Sequence, residues 1–269
     1  MADLQASGNP PRRGARGRRT AALIALVLGL AGFVISATGM ATQLLPRRFS
    51  AVQQQQIENW EIAGRWQQLT AGQIFPASVS YQLAARVLQD ATPLNLRALR
   101  VAIAPQSGCG PGVTTAAAAS VLRRDGCKAV LRATYVDATR SYVLTVGVAV
   151  LPSAAAAAKA YQSLAQPRLT AANQSEAGRL AAGILVVRYH GAAAAMFGYS
   201  RQISASYAKG PYLVMYAAGY ADSRPRVPVA SDQYAYKEMK SLADGVAHSV
   251  ADTLGAPPAS PHCPGTPGC

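Results

Sequence analysis

His248 lies four residues after Asp244 and four before Asp252, so a helix would stack all three on one face. An imidazole between two carboxylates suits metal ligation or proton transfer. The same residues also make a plain solvated face opposite the stripe Met239, Leu242, Val246, Val250 and Leu254, and that is the expectation here. Glu58 and Glu61 stand one turn apart, as a solvated helix face would place them. His190 sits beside Gly191 with no acidic companion nearby. The turn 107–112, Ser-Gly-Cys-Gly-Pro-Gly, precedes a helical stretch and could hold an anion on free amides. It lacks the Lys-Ser/Thr of a phosphate loop, and Pro111 removes one amide. Neither a Gly-x-Ser-x-Gly elbow nor an HExxH helix occurs. No catalytic, cofactor-binding or metal-binding residue is therefore assigned.

Four cysteines remain: Cys109, Cys127, Cys263 and Cys269. Their spacing is not that of a zinc site, and an even number suits disulfides in an oxidising compartment. Three pairings exist. Cys109–Cys127 with Cys263–Cys269 is the expectation, because both close short local loops.

The tyrosines fall into a pattern. A hairpin turning at 208–211 sets Tyr207 against Tyr212, Ile203 against Tyr216 and Tyr199 against Tyr220. That aromatic face could stack on sugar rings. The alternate residues Ser200, Gln202, Ser204 and Ser206 are the ones suited to water, so the tyrosine face is read as core.

The elements that carry these residues follow from periodicity. Residues 1–19, rich in Gly, Pro and Arg, read as a disordered cytoplasmic tail. Residues 20–45 are apolar and uncharged, enough to cross a hydrocarbon core of about 30 Å as a helix. Gly39-Met40-Ala41 would suit a cleaved export signal, but the uncharged run resumes at Leu44 and Leu45, favouring an anchor. Arg12, Arg13, Arg16, Arg18 and Arg19 precede the run, and only Arg47 and Arg48 follow it closely, which places the N-terminus in the cytoplasm.

Residues 49–71 read as a juxtamembrane helix with Trp60 and Trp66 packed beneath the domain, and 72–255 as an extracytoplasmic α+β domain. Within it, strands are expected at 74–87 and 96–104, and a short helix at 115–124. A hairpin follows at 128–136 and 142–151, with a bulky core face of Tyr142, Leu144, Val146, Val148 and Val150. Pro152 opens a helix, 183–189 reads as a strand, and a second hairpin spans 197–207 and 212–220. Ser231 is expected to cap a long final helix. Both hairpins carry an Ala-x-Tyr before the turn and a Ser-Leu-Ala helix after it, so the halves read as a duplicated strand-strand-helix unit. Two such units give one antiparallel sheet with helices packed on one face. The remainder, 256–269, is a Pro-rich tail.

This layout of Arg-rich tail, single span and disulfide-bearing exterior domain resembles actinobacterial single-pass envelope proteins. It is loosely similar to the extracytoplasmic sensor domains of receptor-type kinases and related lipoproteins, although no kinase domain accompanies it. The resemblance implies an extracytoplasmic binding, sensor or accessory protein that does no catalysis. A hydrolase acting on cell-wall material is the alternative. The net charge of +14 suits anionic head groups, envelope proteins or acidic wall polymers, with Arg123, Arg124 and Arg140 as candidate contacts. The charge lies outside the membrane and no recognised nucleic-acid motif accompanies it, so nucleic acid is not an expected partner.

Protease added to intact protoplasts should digest the chain beyond Pro46 and spare an N-terminal tag. Protection of the C-terminal region in that assay would refute the topology.

Overall fold

The computed structural model describes residues 50–83, 93–113, 115–165, 184, 201–222, 224, 227–228 and 231–257. The expected tail and span, and Cys263 and Cys269, lie outside these. Among the described residues no helix is long and apolar enough to cross a membrane.

Thr70 decides where the first helical stretch breaks. Helix α1, Ala51–Gln68, stops before it, and Thr70 takes an extended backbone to cap α2, Ala71–Ile74. The Thr70 side chain accepts from the Gln73 amide, and the Gln73 side chain accepts from the Thr70 amide, a capping box. Ile74, expected to start a strand, therefore closes a helical turn. Strand β1, Ser78–Leu83, begins only after Pro76. Strand β2, Leu94–Ser107, is longer than expected and passes through Pro105. Proline is tolerated where no neighbour needs its amide. The register of β1 with β2 ends at Ser78 opposite Leu99, and one further bond joins the Arg100 amide to the Ala77 carbonyl.

Helix α3, Ala116–Arg124, is capped by Thr115 and precedes the first hairpin, β3, Ala129–Asp137, and β4, Tyr142–Val150. Helix α4 spans Ala154–Ala165. The second hairpin is β5, Arg201–Lys209, and β6, Tyr212–Tyr220. Helix α5, Gln233–Gly255, is capped by Asp232 rather than Ser231, its carboxylate accepting from the Ala235 amide at 3.1 Å. The six strands form a curled antiparallel sheet in the order β1-β2-β3-β4-β6-β5, so the α+β class expected from the sequence is found. The expected strand at 183–189 lies outside the described residues except for Ile184, which bridges to Val113.

The expectation of helices on one face is corrected: they cover both. Tyr142, Leu144, Val146, Val148 and Val150 of β4 pack with alternate residues of β6 against Met239, Leu242, Val246 and Leu254 of α5. The opposite side carries small residues such as Gly147, Ala149 and Ala217. There Ala149, Leu213, Met215 and Ala217 meet Leu122 of α3 and Ala157 and Ala160 of α4. Alanine-rich helices can approach such a surface closely, so every residue of β4 and β6 is buried. Ser204 and Ser206 are consequently half-buried, and Gln202, expected to meet water, is buried. In both hairpins the tyrosine of the Ala-x-Tyr, Tyr135 or Tyr207, stands two residues before the end of its strand. Their following helices lie on opposite faces, which the duplicated unit with one-sided helices did not anticipate.

The second hairpin pairs Lys209 with Tyr212 and Tyr207 with Val214, a shift of two residues from the expected register. The two-residue turn Gly210-Pro211 draws the strands tighter. A shift of two preserves which side each residue faces, so Tyr207, Tyr212, Tyr216 and Tyr220 remain on the core side, while Tyr199 lies outside the described residues. The expected Cys109–Cys127 disulfide is present, with its Cα atoms 6.1 Å apart, pinning the glycine-rich turn to the start of β3. Closing this loop stabilises the chain by about 3 kcal/mol in the chain-entropy account.

Gly245 of α5 presses on β1, where an added Cβ would lie 2.4 Å from the Tyr81 Cβ. Gly245→Ala should gain about 1 kcal/mol of helix propensity and lose about 1–3 kcal/mol to overpacking. A net fall in melting temperature is expected. Gly64→Ala on α1, where the nearest atom is the end of Gln68 at 3.8 Å, should be neutral or stabilising in the same thermal scan.

Candidate functional site

The three candidate arginines do not converge. Arg123 and Arg124 end α3 beside the start of β3, whereas Arg140 sits in the turn after its far end. Nine strand residues separate them by roughly 30 Å. Arg140 has a left-handed backbone, φ 57°, and its amide donates to the Asp137 carbonyl at 3.0 Å. Arg124 is committed to the neighbouring Asp125 at 3.3 Å and also donates to the Ser163 hydroxyl at 3.1 Å. Lys159 of α4 reaches the same carboxylate at 3.3 Å. Asp125 itself is fully buried and ties α3 to α4.

The His248 row is brought together, but as a rim clamped to the sheet. Tyr216 donates to one oxygen of Asp244 at 2.9 Å and Lys240 to the other. Asp252 pairs with Lys209 at 3.7 Å. His248 approaches the Asp244 backbone carbonyl through Nδ1 at 2.7 Å, so Nδ1 carries the proton. Its ring stacks on Tyr207 at 5.1 Å. Burial raises the Tyr216 and Tyr207 phenols well above their ordinary range, and the nearby carboxylates add to the effect. Imidazole and carboxylate thus meet through the backbone, which gives no side-chain dyad. Among the described residues no cluster of three or more His, Cys, Asp or Glu could hold a metal ion. Glu61, expected to be solvated, is buried.

A second feature is concave. The break at Thr70 turns the chain so that Trp66 of α1, Leu69 just after it and Phe75 just beyond α2 face Ile103 of β2 and Leu131 of β3. They enclose a groove of about 430 Å³, within the range of small-molecule sites. Its only polar lining side chains are Gln67 and Gln106, and none is charged. Arg100 is not part of that lining; its Nη1 donates to the Phe75 carbonyl and lies 3.8 Å from where a Gly72 Cβ would be, tying α2 to β2. At the α1 side Arg65 donates to the carbonyls of Leu254 in α5 and of Ala256, which caps that helix. Ile62, Trp66 and Leu69 recur at helical spacing, so the sequence puts them on one face. It gave no sign that the face stays partly uncovered. Trp60, expected to pack beneath the domain, is 54% exposed, so only Trp66 does so.

Burial raises the Asp125 carboxyl, but its bonds to Arg124 and Lys159 outweigh this and hold it below the usual carboxylate range. A depressed folded-state pKa gives stability that is full above the unfolded value, near 4, and is lost as pH falls through the folded one. Asp125→Asn should lower the melting temperature at neutral pH. The gap to the wild-type protein should close on acidification, and a gap independent of pH would refute the assignment.

Comparison of this chain with protein-family models, with curated proteins and with solved structures finds no match.

Proposed function

We propose that this protein is a membrane-anchored, extracytoplasmic binding, sensor or accessory protein of the bacterial cell envelope, and that its α1–α2–β2 groove holds the apolar part of a ligand. The observation that carries this reading is the groove itself, uncharged, walled by one tryptophan and lined by apolar side chains with two glutamines. Concave sites of this size with few polar groups are the usual places for a small ligand. The membrane address rests on the uncharged run 20–45 and the arginine asymmetry around it. The exposed Arg123 and Arg140 would touch an anionic envelope polymer only at separated points.

The alternative of a wall hydrolase requires a positioned base. His248 is turned to a backbone carbonyl, and Asp244 is engaged by Tyr216 and Lys240. That geometry favours binding over acid–base chemistry.

The chain has two tryptophans, so Trp60→Phe leaves Trp66 as a sole reporter. The full chain in zwitterionic lipid nanodiscs should show quenching of Trp66 by a medium-chain alcohol brominated at its far end. Leu69→Glu in the same background, placing a charge in the groove, should abolish the quenching. Quenching equal in both proteins would overturn the groove as the site.

A further inference from the structure

Helix α1 turns its charges inward. Glu61 is buried, Glu58 is half-buried, and Arg65 is bonded to carbonyls at the end of α5. The exposed positions of α1 hold Val52, Trp60 and otherwise only Ala, Asn and Gln. Helices α3, α4 and α5 instead expose Arg123, Lys159 and Lys237, as helices facing water do. Residues 51–56 are exposed on every side, so the first turn and a half of α1 stands clear of the other described residues. Val52, Gln56 and Trp60 form one row at four-residue spacing, with Val52 67% and Trp60 54% exposed. A solvated helix shows charge to water and hides its large apolar groups. This row does the reverse.

Resting on the membrane-anchor reading above, we propose that this row lies in the interface of the membrane that anchors the chain, with Trp60 at the boundary between head groups and acyl chains. Five residues, 46–50, separate the uncharged run from Ala51, and a chain of that length reaches no more than about 20 Å. Trp60 lies about 14 Å further along α1, so a helix tethered this closely and running along the surface brings the indole to it. An indole suits that layer, because its ring is apolar and its N–H donates to head-group oxygens. Glutamine and asparagine amides bond the same oxygens without the cost of desolvating a charge. A second copy of the chain fits less well as the occupant. A stable pair needs about 800 Å² from each partner, whereas a tryptophan offers at most about 250 Å².

The test uses the full chain in zwitterionic nanodiscs, where flotation with the lipid first checks the anchor. Trp66→Phe leaves Trp60 as the sole tryptophan, and the difference between wild type and Trp60→Gln isolates the same residue without touching the core. Lipid brominated on its acyl chains just below the head groups should remove most of the Trp60 emission, and lipid brominated near the chain ends should remove less. Half a molar salt should leave the quenching unchanged, because the row uses no charge. Release by salt would overturn the proposal. Val52→Glu puts a charge in the row and should restore emission, and quenching equal to that of the parent would overturn the row as the contact. A chain that floats with the lipid but keeps its full Trp60 emission in both brominated lipids overturns this inference and leaves the anchor intact. A chain that does not float sinks the anchor and this inference together. Trp60 shielded from aqueous acrylamide yet insensitive to bromine, in proportion to the number of chains per disc, would give the row to a second copy and also overturn the proposal.

Discussion

Five tyrosine hydroxyls of one sheet face find partners, while that of Tyr207 is buried without one, and the arrangement of α5 and α1 follows from where those five are bonded. Tyr142 donates to Glu238 at 2.9 Å, Tyr216 to Asp244 at 2.9 Å and Tyr220 to Asp232 at 2.7 Å, all on α5 or its cap. Tyr135 donates to the Pro76 carbonyl at 3.0 Å, and Tyr212 to the Ile62 carbonyl of α1 at 2.5 Å. A hydrogen bond to a charged acceptor contributes about 1.5–3 kcal/mol, and a stranded buried hydroxyl costs a comparable amount. Burial pushes the Tyr212 and Tyr220 phenols up to about 12, so both remain donors throughout the physiological range. Sliding α5 by one residue would misplace three carboxylates at once. The helix therefore has one register on the sheet.

Once α5 is fixed, its C-terminus positions α1. Arg65 bonds the terminal carbonyls of α5, where a cation also suits the negative end of the helix dipole. Tyr212 holds α1 one turn earlier. These two ties set the distance between Trp66 and the sheet, and Thr70 then diverts the chain toward β1. The groove is the space left between an anchored helix and the strands it does not fully cover. Its shape thus depends on hydroxyl bonds made some way along the sheet.

The other face is built on a different principle. There the side chains are small, the helices are alanine-rich, and close approach replaces bulky interdigitation. Gly147 shows the tolerance: a Cβ there would lie 2.3 Å from the Ile184 Cδ1. Polar groups on this side are paired internally, as with Thr134 and Thr145 at 2.8 Å and the Asp125 carboxylate between Arg124 and Lys159. One sheet thereby serves two cores of unlike texture.

Local rules determined much of this from the sequence. Alternation placed both hairpins, Pro152 and Thr115 marked helix starts, and the single stripe on α5 named its buried side. The tyrosine face was legible as core because the residues between the tyrosines are serines. Short loop length made Cys109 and Cys127 the natural pair. What periodicity could not convey is whether a face of Ala, Gly and Thr is left to water or covered by a helix, since small residues suit either. The hairpin register depended on the turn chosen, and the capping box at Thr70 overrode the strand propensity of Ile74. Tertiary structure alone placed Arg123 and Arg140 at opposite ends of one strand, and brought Trp66, Ile103 and Leu131 together around one groove from segments about thirty residues apart. Such meetings are set by non-local packing, and adjacent residues carry no record of them.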